Sequence, residues 1–172
     1  MRKLISFALG LCICCAAYSQ QEKIDELLQH FRQGDRICLD FSFSQNGSSL
    51  LRTDGSLELQ GNRYCVTMDG VKIICDGTTQ WTIDEISQEI YLEQGGLLVG
   101  YLSNPDYIRN CIGSLSCGGN SLSGIFKTGK DGSIKITFAL KNISFSKPLK
   151  DLSGFSFDSS DYIEPWVVTD LR

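Results

Sequence analysis

Residues 55–93 read GSLELQGNRYCVTMDGVKIICDGTTQWTIDEISQEIYLE, and their pattern decides the fold. Apolar side chains alternate with polar ones: Leu57 and Leu59, then Tyr64, Val66 and Met68, then Val71 and Ile73, then Trp81 and Ile83, then Ile90 and Leu92. A period of two puts every second side chain on the same face of a strand. Gly61-Asn62, Asp69-Gly70, Asp76-Gly77 and Asp84-Glu85 punctuate the runs. Asp69-Gly70 is the strongest hairpin signal and predicts a type I′ turn, with positive φ at both centres. The stretch reads as a meander of about five short strands sharing one apolar face.

Upstream, Arg36 to Ser44 alternates as well, with Ile37, Leu39, Phe41 and Phe43 on one face. That is a half-buried antiparallel strand. Before it, Glu22 to Gln33 carries Ile24, Leu27, Leu28 and Phe31 at helical spacing, and Gly34 is a natural stop. Downstream, Asn104-Pro105 breaks the apolar run that starts at Leu97. Tyr107, Ile108, Cys111 and Ile112 then fall at helical spacing and predict a short helix. Gly113 to Gly124 is rich in Gly, Ser and Asn and reads as loop. Ser133 to Lys141 alternates again through Ile134, Ile136, Phe138 and Leu140. Phe155 and Phe157 mark a last strand, and Val167-Val168 a final edge segment.

The expected architecture is mainly β with short helices. One antiparallel, strongly curved sheet, an open half-barrel, has its apolar face covered by two or three short helices. The covered face should hold Phe41, Leu59, Val66, Ile73, Trp81, Leu92, Phe138 and Phe157. Arg63, Lys72 and Lys135 should lie on the wet face.

The chain has 172 residues. Residues 1–19, MRKLISFALGLCICCAAYS, read as a secretory signal, with Arg2 and Lys3 before an apolar stretch too short to cross a membrane. Small residues at Ala17 and Ser19 place cleavage after Ser19. Cys12, Cys14 and Cys15 each lack the small preceding residue that lipidation needs, so a freely diffusing exported protein is expected. Residues 20–172 read as one domain. The leader holds two basic and no acidic side chains, so the remainder has net charge −6 against −4 for the whole chain. An acidic balance argues against nucleic acid and anionic membrane as partners.

Of eight cysteines, five lie beyond the leader: Cys38, Cys65, Cys75, Cys111 and Cys117. A two-residue turn at Asp69-Gly70 sets Cys65 opposite Ile74 and Tyr64 opposite Cys75. Cys65 and Cys75 then lie on opposite faces and cannot bond. Cys111 and Cys117 are better spaced for a bridge. No Cys/His cluster has zinc spacing.

Nothing reads as catalytic. His30 is the sole histidine, with no nucleophile placed beside it. Gly119-Asn120-Ser121-Leu122-Ser123 lacks the last glycine of a nucleophile elbow. Asp84, Glu85, Glu89 and Glu93 cluster at turns and on a polar hairpin face, which is the pattern of a solvated surface. No cofactor is expected.

The order of motifs resembles the LolA family of periplasmic outer-membrane lipoprotein carriers, in its Bacteroidetes form. The amphipathic helix precedes the first strand. Asp76-Gly77-x-x-x-Trp81 follows the hairpin, Phe155-Ser156-Phe157-Asp158 looks like the family's late strand, and Val168-Thr169-Asp170-Leu171-Arg172 like its tail. Gly61-Asn62 departs from the basic residue and proline found there in many proteobacterial members.

The resemblance implies a half-barrel cavity for acyl chains. Leu39, Phe41, Phe43, Leu57, Leu59, Tyr64, Val66 and Ile73 would line it, with Trp81, Ile90, Leu92, Ile136, Phe138 and Phe157. Ile24, Leu28, Phe31, Tyr107 and Ile108 would form its lid. It implies a monomer that takes lipoprotein acyl chains from an inner-membrane ABC-type release complex to the outer membrane. A lipid-sensing module of the same fold and an exported structural domain without ligand remain open alternatives.

Overall fold

The computed structural model describes residues 22–46, 52–104, 106, 112–128, 134–162 and 165–172. Residues 1–21, Tyr107, Ile108 and Cys111 lie outside the described residues, and with them the expected leader, the expected lid segment at Tyr107 and the expected Cys111–Cys117 bridge.

The chain is mainly β. A helix over residues 22–33 (α1) leads into β1 (Arg36–Gln45). The meander follows as β2 (Arg52–Gln60), β3 (Arg63–Met68), β4 (Val71–Cys75), β5 (Thr79–Asp84) and β6 (Glu89–Gln94). A short helix, α2 (Leu97–Leu102), comes next, then β7 (Ile112–Gly118), β8 (Ser121–Thr128), β9 (Ile134–Ser146) and β10 (Val167–Asp170). The ten strands among the described residues form one open sheet in the order β10-β6-β5-β4-β3-β2-β1-β9-β8-β7.

Several expectations change. Gly113 to Gly124 is not loop: Gly119-Asn120 turns a hairpin between β7 and β8. Ile112 opens a strand rather than closing a helix. Phe155 and Phe157 are not in a strand, because Ser153–Phe155 forms a 3-10 turn and the chain there runs across the sheet. The sheet is not wholly antiparallel, since β10 pairs with β6 in parallel. After β9, residues 147–162 pass over one face of the sheet, and β10 runs in the same direction as β6. Finally, the Asp69-Gly70 turn is not type I′, because Gly70 has φ +72° while Asp69 does not have a positive φ. Gly61 and Gly119 take positive φ at the first turn position, the glycine site of a type II′ turn.

Register fixes which side chains share a face, because directly paired residues point the same way. On the first face Ile37 pairs with Leu59, Leu59 with Tyr64, and Tyr64 with Cys75. Leu39, Leu57, Val66 and Ile73 make a second row there. Across β9, Phe41 meets Leu140 and Phe43 meets Phe138. The pairing of β1 with β9 shifts between Cys38 and Asp40. At that shift Asn142 has φ +52° and donates from Nδ2 to Asp40 Oδ2 at 2.7 Å. One extra residue on β9 turns Ile143 and Phe145 back onto the first face, where Phe145 pairs with Ile37.

The same register corrects the single-face expectation. Ile73 pairs with Thr82, so Trp81 lies beside Ile74 on the second face. Leu92 pairs with Trp81, and Ile90 with Ile83. Trp81, Ile90, Leu92 and Phe157 therefore do not join Phe41, Leu59 and Phe138. The sheet carries two cores, one on each face. Arg63, Lys72 and Lys135 do lie on the second face, opposite Val66.

Candidate functional site: the apolar face under two helices

From β7 through β8, β9, β1, β2 and β3 to β4, the described first-face side chains include no acidic or basic group. Ile37, Leu39, Phe41, Leu59, Tyr64, Cys75, Leu122, Phe138 and Ile143 are its buried centre. Leu57, Val66, Met68, Ile73, Phe126 and Leu140 flank it half-buried. Phe43, at the outer end of β1, is exposed and tilts against Phe41 at 5.1 Å. Ile136 is half-buried.

Two glycines hollow this face for aromatic rings. A Cβ on Gly55 would meet Phe41 Cζ at 2.6 Å, and one on Gly124 would meet Phe138 Cε1 at 3.1 Å.

Among the described residues, two helices cover the face. Ile24 and Leu28 of α1 are buried in it, with Leu27 and Phe31 packed alongside. Helix α1 ends where Gly34, at φ +74°, lets its amide reach the Phe31 carbonyl at 3.0 Å. His30 stacks on Phe145 at 3.9 Å and its Nδ1 lies 2.7 Å from Asp35 Oδ2. The histidine is thus a fastening for α1. From α2, Val99 and Leu102 pack against the same core.

The face turns polar beyond β4. Tyr64, Cys75, Gln80 and Glu93 form one row across β3 to β6. Tyr64 Oη donates to Gln80 Oε1 at 2.5 Å, and Gln80 Nε2 donates to Glu93 Oε2 at 2.9 Å. Burial is the chief cause that drives the Tyr64 hydroxyl well above its ordinary pKa. It is a neutral donor at the margin of an apolar surface.

The second face is arranged the other way round. Its apolar end lies on β4 to β6, where Ile74, Ile83 and Ile90 are buried with Phe157, Tyr162 and Trp166 packed against them. Phe157 stacks on Trp81 at 5.4 Å and on Tyr162 at 5.3 Å, and Trp166 meets Tyr162 edge-on at 5.0 Å. Gln60 holds this segment by exchanging hydrogen bonds with the Leu149 backbone, at 2.8 and 3.1 Å. Sequence reasoning missed this second core. Its signal was Ile73-Ile74, adjacent apolar residues that break strict alternation and mark a strand buried on both faces.

The polar end of the second face bears two open depressions of about 360 and 190 Å³ that share Asp40. Cys38, Glu58, Cys65 and Thr67 line the larger one. Its carboxylates are engaged: Glu58 accepts from Arg36 Nε at 2.6 Å, and Asp40 from Asn142. Burial pushes the Cys38 and Cys65 thiols up, away from the reactive thiolate. Cys65 pairs with Ile74 and Cys75 with Tyr64, which puts the two thiols on opposite faces as the turn length requires.

The carboxylates at the far turn are structural. Asp84 accepts from the Ile86 and Ser87 amides at 2.9 and 3.0 Å, and Glu89 accepts from the Tyr91 hydroxyl. Ser121 Oγ donates to the Gly118 carbonyl at 2.5 Å inside a hairpin turn. Among the described residues no cluster of three or more His, Cys, Asp or Glu has metal-binding geometry, and no helix is long and apolar enough to cross a membrane.

The chain matches no protein-family model and no curated protein.

Proposed function

We propose that this chain is a periplasmic carrier that holds lipoprotein acyl chains against the first face of its sheet, beneath α1 and α2. In this reading it takes them from an inner-membrane ABC-type release complex and delivers them to the outer membrane. The observation that carries the proposal is the uncharged face running from β7 to β4. It is covered by short helices rather than by a second sheet, and Leu57, Val66, Met68 and Ile73 remain half-buried. An acyl chain needs only such a surface, since each buried methylene contributes about 0.8 kcal/mol. The motif order shared with LolA-like carriers supports the same reading. Trp81, Ile90, Leu92 and Phe157 have no part in this cavity, because they lie on the other face.

Leu28, Ile37 and Leu59 favour a second reading. They are almost wholly buried, as in a small exported domain with a dry core. Native mass spectrometry of the purified protein separates the two. The carrier reading expects co-purified lipid, and uptake of a fluorescent acyl probe after delipidation. Protein that arrives lipid-free and takes up no probe is the dry domain.

A further inference from the structure

Among the described residues, β10 forms one edge of the sheet, and nothing pairs with its outer side. Val167, Val168 and Leu171 are 56, 57 and 60% exposed there, half of the large apolar side chains that stand out from the surface among the described residues. Natural edges are blunted by lysine, proline or a bulge. The opposite edge, β7, has an irregularity between Ile112 and Ser114. Residues 166–172, WVVTDLR, contain no lysine and no proline. Their charges cancel locally, since Arg172 grips Asp170 through Nε at 2.9 Å and Nη2 at 2.7 Å.

Backbone parity says what this edge offers. The Val167 and Leu171 amides donate inward, to Gln88 and Leu92 carbonyls at 3.0 and 2.9 Å. Odd-numbered residues thus face β6, and the N–H and C=O groups of Val168 and Asp170 point outward.

We propose that β10 pairs antiparallel with β10 of a second copy of this chain, about a two-fold axis at Thr169. That register sets Val168 of each copy opposite Asp170 of the other, and both residues present N–H and C=O outward, so four backbone hydrogen bonds form. On one face Val167 meets Leu171 of the second copy and Thr169 meets Thr169, a favourable apolar pair beside a favourable hydroxyl pair. On the other face Trp166 comes opposite Arg172 of the second copy, a cation–π arrangement. No like charges stand directly opposite. Moving the axis to lie between two residues sets outward groups against inward ones and forfeits the hydrogen bonds. An axis at Val168 keeps them but sets Trp166 opposite Asp170 and loses the Val167–Leu171 pair, and an axis at Asp170 sets two carboxylates opposite each other. The strip is therefore self-complementary in register, side chains and charge, which a closed two-fold contact requires. It covers all three exposed aliphatic residues of the edge.

A single strand pair is smaller than a standard interface, so the dimer is weak, with a dissociation constant in roughly the micromolar range. Sedimentation of the purified protein from about 1 to about 300 μM brackets that range. The expected result is a reversible monomer–dimer equilibrium. Val168→Pro removes an outward amide and leaves the β6 ladder intact. Val168→Lys serves if proline disturbs β10, since it changes only an exposed side chain. Either should raise the dissociation constant at least tenfold, about 1.4 kcal/mol.

Register is read by cross-linking. Thr169 faces itself in a non-hydrogen-bonded pair, where Cα atoms approach to about 4.5 Å, inside the disulfide range. Oxidised Thr169→Cys should yield a cross-linked peptide carrying position 169 from both chains. Val168→Cys, with the same number of thiols, should yield no 168–168 peptide. A monomer across the whole range overturns the proposal. So does a dimer that Val168→Lys leaves unchanged, or equal cross-linking at 168 and 169.

Discussion

Phe41 lies directly over Gly55. A Cβ at Gly55 would stand 2.6 Å from Phe41 Cζ, 2.3 Å from the Thr67 carbonyl oxygen and 3.0 Å from Met68 Cγ. The ring can tilt, but the carbonyl belongs to the β2–β3 ladder and cannot move aside. Gly55→Ala should destabilise the fold by about 1–3 kcal/mol, the range for forced overpacking. The opposite sign is expected at Gly100, inside α2, where an added Cβ meets nothing within 4 Å. Gly100→Ala should stabilise by about 0.5–1 kcal/mol through helix propensity. Urea midpoints of the two variants should move in opposite directions, and movement together would contradict the packing over Gly55.

The meander was legible because each of its strands alternates on its own, and the two-residue turn at Asp69-Gly70 fixed the β3–β4 register. What alternation does not carry across a turn is the identity of the apolar face. The turn from Cys75 to Thr79 sets Thr82 beside Ile73 and sends Trp81 to the other side. Period-two reading scored Trp81 as apolar without knowing where its face had gone. The β7–β8 hairpin was hidden for a different reason. Ser114, Ser116 and Ser123 fill the solvent positions, and Gly124 must stay small beneath Phe138, so the composition imitated a loop. The bulge on β9 was readable after all, since Leu140 and Ile143 stand three apart across Asn142. The segment that closes the second core holds Phe155, Phe157, Tyr162 and Trp166 without a period, because a chain crossing a sheet has no strand partner to impose one.

Asn142 takes a left-handed conformation at the bulge and reaches Asp40. Asn142→Gly keeps the conformation and loses the exposed hydrogen bond. Asn142→Ala loses both and adds about 1 kcal/mol for the left-handed Cβ. Stability should therefore fall in the order wild type, Gly, Ala. Equal stability of the two variants would remove the bulge as the reason Ile143 and Phe145 join the first face.

Arg172 holds the Asp170 carboxyl down to about 2, chiefly through its side-chain hydrogen bonds, against an ordinary value of 3.8. A depressed carboxylate adds stability above its unfolded pKa and loses it as pH falls through the folded one. The window is therefore pH 4 down to pH 2, and β10 should be the first strand to lose amide protection there. Carboxyl NMR should show Asp170 titrating well below the ordinary aspartate value. Arg172→Ala should return it only part of the way, because the backbone amide at 172 still donates to its carboxylate at 3.0 Å. The pair stands in solvent, about half exposed, so added salt should weaken the shift.

The two faces allow the carrier reading to be tested against its own geometry. Ile73 is half-buried on the first face, Leu59 is at the closed centre of that face, and Trp81 is on the second. Leu59→Ala should cost about 2–5 kcal/mol as a filled core position. Ile73→Ala should cost less, because part of its surface already faces space, yet it should weaken acyl-probe binding several-fold. Trp81→Ala should cost less than the ~3–5 kcal/mol of a fully buried aromatic, since Trp81 is half-buried where it stacks on Phe157. It should nonetheless leave probe affinity per folded molecule unchanged, because its ring lies on the opposite face of the sheet. Urea unfolding and probe titration on the same samples separate these effects. Probe affinity that falls in Trp81→Ala and holds in Ile73→Ala would put the lipid on the wrong face, and the carrier proposal would lose the surface it rests on.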